Sequence, residues 1–527
     1  MFKRVWLAAL AILLIAAMAV VGCGPKDEID VTDPGVEPST DPVFGGTLKV
    51  VIDAEPPTID MHASTTTLVY NVGWHIFEQL YTLDEEFDII PMLAAGMPEI
   101  SEDKLTYTIK LREGVSFHNG KEMTSADVVA SLERWGEVAG NGQVLFAKIA
   151  SLEADGPYQV KLTLNEPIGT VLVYLAIPNG GAAIYPEEIV AGAGAEPLEQ
   201  FIGTGPYEFV EWEPNQYIKL KKYDGYEQVD FDATGYGGAK TAYVDELDFY
   251  FFADASVRIA SVESGDYHFA DFVPVDEYDR LKDTPGLEAI ASQPRGWFTV
   301  VFNKKEGVMS NKLIRQAFLA ALDMDPIMEA GYGHRDFWRL DPSIMFKEQV
   351  WWSDAGAELY NQDDPDRAEA LLEEAGYDGE PIRWMTGPLE YNFSLAAKNQ
   401  LEKVGFNIEL EQMDWATVTD RRSNPELWEA FSTGMTFRAD PTMMVVITPT
   451  YAGWWENDDL VELLAEMAVE EDFAFRYALW EQVQELFYEE VPTVKIGDYS
   501  NLRLLREDVR GFANMNEIFF WNVWLAP

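Results

Sequence analysis

The stretch Ile382–Leu410, IRWMTGPLEYNFSLAAKNQLEKVGFNIEL, reads as strand, helix, strand. Ile382–Thr386 is short, mostly apolar apart from Arg383 and Thr386, and bounded by Gly387-Pro388, the punctuation that ends a strand. Phe393–Val404 carries apolar residues at helical spacing and is closed by Gly405, and Phe406–Leu410 is again a strand. Two strands joined through a helix are parallel and linked by a right-handed crossover, which places the chain in the α/β class.

Working outward, the same class holds. Asp364-Pro365 starts a helix with Asp as cap and Pro at the first position, and Gly376 ends it. Leu313, Ile314, Ala317, Phe318, Ala321 and Leu322 share one helical face. Leu460–Met467 and Tyr477–Phe487 are two further amphipathic helices, and strand and loop return from Val494. The front half is richer in strands. Val43–Asp53, Leu105–Leu111 and Tyr158–Leu164 alternate apolar and polar residues over part or all of their length. Tyr207–Trp212 and Tyr217–Lys222 form a hairpin around Glu213-Pro214-Asn215-Gln216. Thr124-Ser125-Ala126-Asp127 has the spacing of a capping box and opens a helix to about Trp135. These elements predict two α/β lobes with the chain crossing near Trp297–Asn303 and Val494–Tyr499, and a cleft between them that closes by hinge bending.

The N-terminus fixes the compartment expected. Lys3 and Arg4 precede an apolar run from Val5 to Val21, followed by Gly22 and Cys23. A positive segment, an apolar segment and small residues at the cut site read as a secretory signal; a run of that length would also serve as a short transmembrane anchor. Val20-Val21-Gly22-Cys23 resembles the lipobox of bacterial lipoproteins, a resemblance that implies a diacylglycerol on Cys23. Cys23 is the single cysteine, so an intramolecular disulfide and a thiolate zinc site are excluded. Residues 24–44 are acidic and rich in Pro, Gly, Ser and Thr, a composition that cannot offset ordering entropy and reads as a tether.

The net charge is −52. Such a chain repels nucleic-acid phosphates and anionic lipid heads. The charge fits a solvated acidic surface that favours solubility, and equally adaptation to a saline habitat where self-repulsion is screened. Aromatic residues make up 13% of the chain, more than a core of this size requires, and a surplus suits a small-molecule pocket. Nothing nominates catalysis. There is no His-Glu-x-x-His, no phosphate loop and no nucleophile elbow. Phe117-His118-Asn119-Gly120 reads as a turn, and Asp363, Asp364 and Asp366 lack the remainder of a calcium loop. No metal, cofactor or catalytic residue is expected.

Several segments, in order, resemble the extracellular solute-binding family 5 of ABC importers, which includes dipeptide-, oligopeptide- and nickel-binding proteins. They are Gly45-Gly46-Thr47-Leu48, Glu55-Pro56-Pro57-Thr58-Ile59-Asp60, Leu105-Thr106-Tyr107, Leu111-Arg112-Glu113-Gly114-Val115-Ser116-Phe117-His118-Asn119-Gly120, Thr124-Ser125-Ala126-Asp127-Val128, Gly203-Thr204-Gly205-Pro206-Tyr207, Phe302-Asn303 with Ile314-Arg315-Gln316-Ala317, and Phe520-Trp521-Asn522-Val523-Trp524. The resemblance implies a two-lobed, type II periplasmic-binding-protein fold with an extra subdomain and an interlobe cleft. It divides the chain into a signal at 1–23, a tether at 24–44, a first lobe at 45–302 plus 495–527 with the extra subdomain at 83–201, and a second lobe at 303–494. It implies a monomer, held on the outer face of the cell membrane or in the periplasm through its lipid, that captures a small solute and delivers it to membrane permease subunits. The alternatives to the importer receptor are a ligand sensor facing a signalling partner and an anchored extracellular hydrolase.

The segment Thr433-Gly434-Met435-Thr436-Phe437-Arg438-Ala439-Asp440-Pro441 resembles the family's ligand-contacting loop. Peptide-binding members carry an acid a few positions before the Asp-Pro, where it holds the peptide's ammonium. Here Asp440-Pro441 matches the later pair, the earlier acid is missing, and Arg438 lies near its place. Arg438 then holds a ligand carboxylate or phosphate, or else points to solvent or a surface carboxylate. The ligand-binding candidates are Thr436, Phe437, Arg438 and Asp440 of this loop, with the aromatics Tyr70, Trp297, Trp415, Trp454 and Trp455.

Overall fold

A computed structural model describes residues 41–527. The signal, Cys23 and most of the tether lie outside the described residues. Among the described residues, no helix is long and apolar enough to cross a membrane.

The first body is built on a seven-stranded sheet, in the order 287–291, 502–506, 269–273, 47–52, 246–251, 217–222, 207–213. The central strand Thr47–Ile52 runs parallel to both neighbours, while the hairpin foreseen from Tyr207 to Lys222 closes one edge antiparallel. A four-stranded antiparallel sheet, 99–100, 106–110, 159–164, 149–154, falls within 83–201, the span expected of the extra subdomain. It packs with the helix Ser125–Val138, whose start is the expected box: the Thr124 backbone N–H donates to Asp127 Oδ2 at 2.9 Å. The Asn119-Gly120 turn also forms, with Gly120 at φ 80°.

The second body is built on a six-stranded sheet, in the order 338–339, 493–499, 296–302, 430–436, 382–386, 408–412. The strand–helix–strand unit is its parallel half. Ile382–Thr386 pairs with Ile408–Gln412 in parallel register, Ile382 opposite Ile408, and pairs on its other side, also parallel, with Ala430–Thr436. The connecting helix is Tyr391–Leu401, finished by a tight turn to Val404 and by Gly405 at φ 103°. Asp364 caps Pro365–Ala375 by accepting from the Arg367 N–H, and Gly376 ends that helix in the left-handed region.

The sheets move the lobe boundary from the one expected. Gly296–Phe302 is a central strand of the second sheet, paired with 430–436 and 493–499. A division that leaves 45–302 and 495–527 to the first lobe therefore cuts this sheet; the change of sheet comes at 292–295 and 500–501. The reason is physical. Every residue of Gly296–Phe302 is buried, because helices cover both faces of the sheet, and a strand buried on both faces shows no alternation that would assign it to a partner. The two bodies meet at several points: the Val350 N–H donates to Glu86 O at 3.2 Å, the Phe87 and Phe437 rings lie 4.5 Å apart, and the turn at 468–471 docks on the extra subdomain.

Candidate functional site

In an open α/β sheet, ligands lie outside the carboxyl ends of the parallel strands. Three such strands end side by side here, at Thr386, Gln412 and Thr436. The segments that follow them carry Glu390, Trp415 and Phe437-Arg438. The antiparallel neighbours bring their matching ends to the same edge, since Gly296 pairs with both Thr436 and Tyr499. Arg295, just before that strand, and Tyr499 thus join the group. From the first body, the helix Thr67–Gly73 contributes Tyr70, and the C-terminal segment contributes Glu517.

The contacts across this edge are specific. Arg295 Nη1 lies 2.5 Å from Glu517 Oε2 and donates to Asn516 O at 2.8 Å. Glu517 Oε1 accepts from the Tyr70 hydroxyl at 3.3 Å, and that hydroxyl is 2.9 Å from Thr67 Oγ1. Burial raises the Tyr70 phenol, and the neighbouring Glu517 charge raises it further. Burial also raises Glu517 against the pull of Arg295. Tyr499 stacks on Phe298 with ring centroids 4.5 Å apart; its phenol is raised by burial, lowered by Arg295 and raised by Glu390. Arg438 is half-buried. Its Nη1 donates to Thr436 Oγ1 at 2.9 Å and to Phe437 O at 2.8 Å, while its own carbonyl accepts from Gln349 Nε2 at 2.7 Å. Burial lowers its pKa and the Tyr70 phenol opposes that shift, so Arg438 and Tyr70 are electrostatic neighbours across the two bodies.

The structure thus brings Tyr70, Trp415, Thr436, Phe437 and Arg438 to one edge. The other candidates lie elsewhere. Trp297 is sealed in the second core, 1% exposed, with Lys495 Nζ 5.7 Å from its ring centre. Trp454 and Trp455 follow Gly453, whose carbonyl accepts from Lys304 N. That is the Phe302 end of the sheet, opposite the Gly296 edge. There Trp454 stacks on Trp428 at 5.8 Å, and Trp455 packs on Phe487 at 6.3 Å. Asp440 is fully buried, caps the turn at Pro441–Met443 through Thr442 N, and pairs with Arg476 at 2.8 Å. Its role here is structural. Asp440→Ala leaves a buried guanidinium without its counter-charge and should cost roughly 3–5 kcal/mol of stability; chemical denaturation that moves by less than about 1 kcal/mol would contradict that role.

Glu390 was not among the sequence candidates. It is one of 90 acidic residues and belongs to no recognisable motif. Two signals could have found it: it follows the strand Ile382–Thr386 at its carboxyl end, and Gly387 stands three residues before it. A Cβ on Gly387 would lie 2.6 Å from Glu390 Oε2 and 3.6 Å from Trp415 Cε3, so glycine leaves room for the carboxylate and the indole together. His118 is settled as structural. Its Nε2 lies 3.0 Å from Gly205 O and its Nδ1 accepts from Gly203 N at 3.3 Å. Among the described residues no group of His, Cys, Asp and Glu is arranged to hold a metal ion.

Comparison with known proteins agrees with this architecture. Residues 88–457 match the model of the bacterial extracellular solute-binding proteins, family 5. A probable peptide ABC transporter periplasmic-binding protein of Sinorhizobium fredii is 28% identical over 493 residues, covering 89% of this chain and 91% of its own. The glutathione-binding protein GsiB of Escherichia coli K12 is 26% identical over 476 residues, covering 85% and 88%. The solved structure of the ABC transporter substrate-binding protein CtaP of Listeria monocytogenes superposes with a TM-score of 0.79 at 20% identity, covering 92% of this chain and all of that one. The fold is the two-lobed, type II periplasmic-binding-protein fold. The chain belongs to the bacterial extracellular solute-binding proteins of family 5, which bind their substrates without transforming them.

Proposed function

We propose that this chain is the lipid-anchored, solute-capturing component of an ABC importer: it closes on a small peptide-like or opine-like solute outside the cell and hands it to the permease. The observation that carries this reading is the edge formed by Tyr70, Arg295, Glu390, Trp415, Arg438 and Tyr499, where the two bodies face each other and Glu390 and Arg438 make no ion pair among the described residues. The peptide-transport and glutathione-binding names of its relatives support the solute class. The N-terminal signal and Cys23 support the anchor.

The test is a thermal-shift screen of peptides, opines, sugars and metal chelates. A solute bound only by the native state at 100 times its Kd adds about 2.7 kcal/mol to stability, visible as a raised Tm. If nothing in the screen raises Tm, the capture reading fails. Cys23→Ala should block metabolic labelling by a radioactive fatty acid, and a wild-type protein that takes up no label would refute the anchor.

A further inference from the structure

Two opposite charges at this edge have no counter-charge among the described residues. Glu390 is 8% exposed, yet among the described residues no cation pairs with its carboxylate, and the only donor that bonds it is its own backbone N–H. Burial raises its pKa with no cation to offset the shift. Arg438, on the neighbouring strand end, gives hydrogen bonds only to Thr436 and Phe437, and no carboxylate lies within ion-pair distance among the described residues. Elsewhere in the interior charges are met in one of two ways: Arg258 and Asp341 are held by several hydrogen bonds with neighbouring groups, and others are ion-paired. Asp60 with Arg134, Glu78 with Lys240, Asp440 with Arg476 and Asp498 with Lys495 are all paired. Buried charges are kept only where something pairs with them, and a half-buried cation and a buried anion at one cleft edge call for a ligand that supplies both partners.

Resting on the capture reading above, we propose that the site is specific for a small zwitterion, with the ligand's ammonium on Glu390 and its carboxylate on Arg438. The strand 382–386 lies next to 430–436, so the two anchors come from adjacent strand ends. Trp415, 40% exposed and flanking Gly387 beside Glu390, offers a face to the apolar part of the ligand, as its indole is not consumed by the core. Tyr499 is within electrostatic reach of Glu390. The Arg438 guanidinium has its remaining N–H groups free for a two-point hold on a carboxylate. The acid that anchors an ammonium is thus supplied by the 387–390 turn, and the 436–440 loop supplies the cation. A peptide bound here lies with its carboxylate, not its ammonium, on the 436–440 loop.

The experiment uses triglycine, N-acetyl-triglycine, triglycine amide and reduced glutathione as probes, with affinities from calorimetry on wild type, Glu390→Gln and Arg438→Gln. On wild type, removing either charge of the probe should weaken binding at least about 30-fold. On Glu390→Gln the penalty for acetylation should fall to within about 3-fold while the penalty for amidation stays; on Arg438→Gln the reverse should hold. Each variant should remain folded: Glu390→Gln removes an unpaired buried charge and should be at least as stable as wild type, while Arg438→Gln loses only its local hydrogen bonds to Thr436 and Phe437 and should lower Tm slightly. The proposal is overturned if acetylation costs the same in wild type and Glu390→Gln, if amidation costs the same in wild type and Arg438→Gln, or if no zwitterionic probe binds. In that last case, binding of a sugar or an opine without a free ammonium would leave solute capture standing and refute the two anchors alone.

Discussion

Gly169→Ala is expected to remove the closed state while leaving the ligand-free fold intact. Gly169 sits where the extra subdomain meets the second body. Its N–H donates to Ala468 O at 2.6 Å, and a Cβ built on it would lie 1.8 Å from Glu470 O. That obstacle is backbone, which cannot swing away as a side-chain tip can. Gly169 is not in the left-handed region, so alanine is unstrained there once the bodies part. The neighbouring contacts depend on the same approach: Lys104 Nζ to Glu470 at 3.1 Å, and the Tyr107 hydroxyl donating to Glu471 at 2.8 Å. If the solute is held between the two bodies, its apparent affinity scales with the fraction of protein able to close. The affinity for whichever probe shifts wild-type Tm most should fall at least about 100-fold, near 2.7 kcal/mol. Small-angle scattering should lose its ligand-induced compaction. Tyr107→Phe removes the hydroxyl's bonds to Glu471 and to Ile168 O but no space, and should cost only several-fold. Unchanged affinity and compaction in Gly169→Ala would mean that this contact is not part of closure.

What the sequence disclosed follows from which signals are local. Caps and turns are local, so Asp364, Thr124 with Asp127, Gly376 and Gly405 stand where they were expected. The strand–helix–strand unit is local too, and its parallel pairing follows from chain geometry; the second strand moved by only two residues at its start, to Ile408. Assignment to a sheet is not local. Gly296–Phe302 is apolar apart from Thr299, is buried along its whole length and carried no mark of which body it joins. Nor could the sequence tell which end of a sheet an aromatic occupies. Trp415 opens the helix Trp415–Arg421 and Trp454 sits in a turn, both beside strands of one sheet, and only the fold separates the carboxyl edge from the opposite one. Asp440 looked like a ligand residue because its partner, Arg476, is 36 positions away. Glu390 was concealed by the opposite problem, an acidic background in which one more carboxylate means nothing until its lack of a partner can be seen.

Acid should begin to destabilise this protein below about pH 6.5, before most of its carboxylates titrate, because its buried histidines are built to stay neutral. His75 Nε2 accepts from the Phe520 N–H at 2.9 Å, which leaves Nδ1–H to donate to Val72 O at 3.2 Å. His62 Nε2–H donates to Ala183 O at 2.9 Å, and its Nδ1 faces Arg134 Nη1 at 3.1 Å as acceptor. In each ring the nitrogen that would take the second proton already faces an N–H donor. Burial is the main cause that lowers both, to about 4 for His62 and about 3 for His75, with the Arg134 and Lys240 charges adding to it. An unfolded histidine protonates near 6.5. Between about pH 6.5 and 4 the unfolded chain therefore binds more protons than the native one, and the stability these groups contribute is lost as pH falls. At 1.36 kcal/mol per pKa unit, each costs about 3 kcal/mol by pH 4. Together they reach on the order of 6 kcal/mol, a large part of a typical domain's stability. Asp60 acts in the same direction at lower pH. Burial raises it, but the Arg134 hydrogen bond and the His62 and Arg134 charges hold it below the usual carboxylate value, so its contribution is present above the unfolded value and lost as pH falls through the folded one. Protonating part of a surface with a net charge of −52 works against this trend by relieving self-repulsion, so the measurement belongs in about 0.5 M salt, where that term is screened. Urea denaturation should show stability falling steadily from pH 7 to pH 4, and His75→Gln, whose amide can both donate and accept, should flatten the slope by about half. A flat or rising profile in high salt would show that the histidines take up their protons without opening the fold.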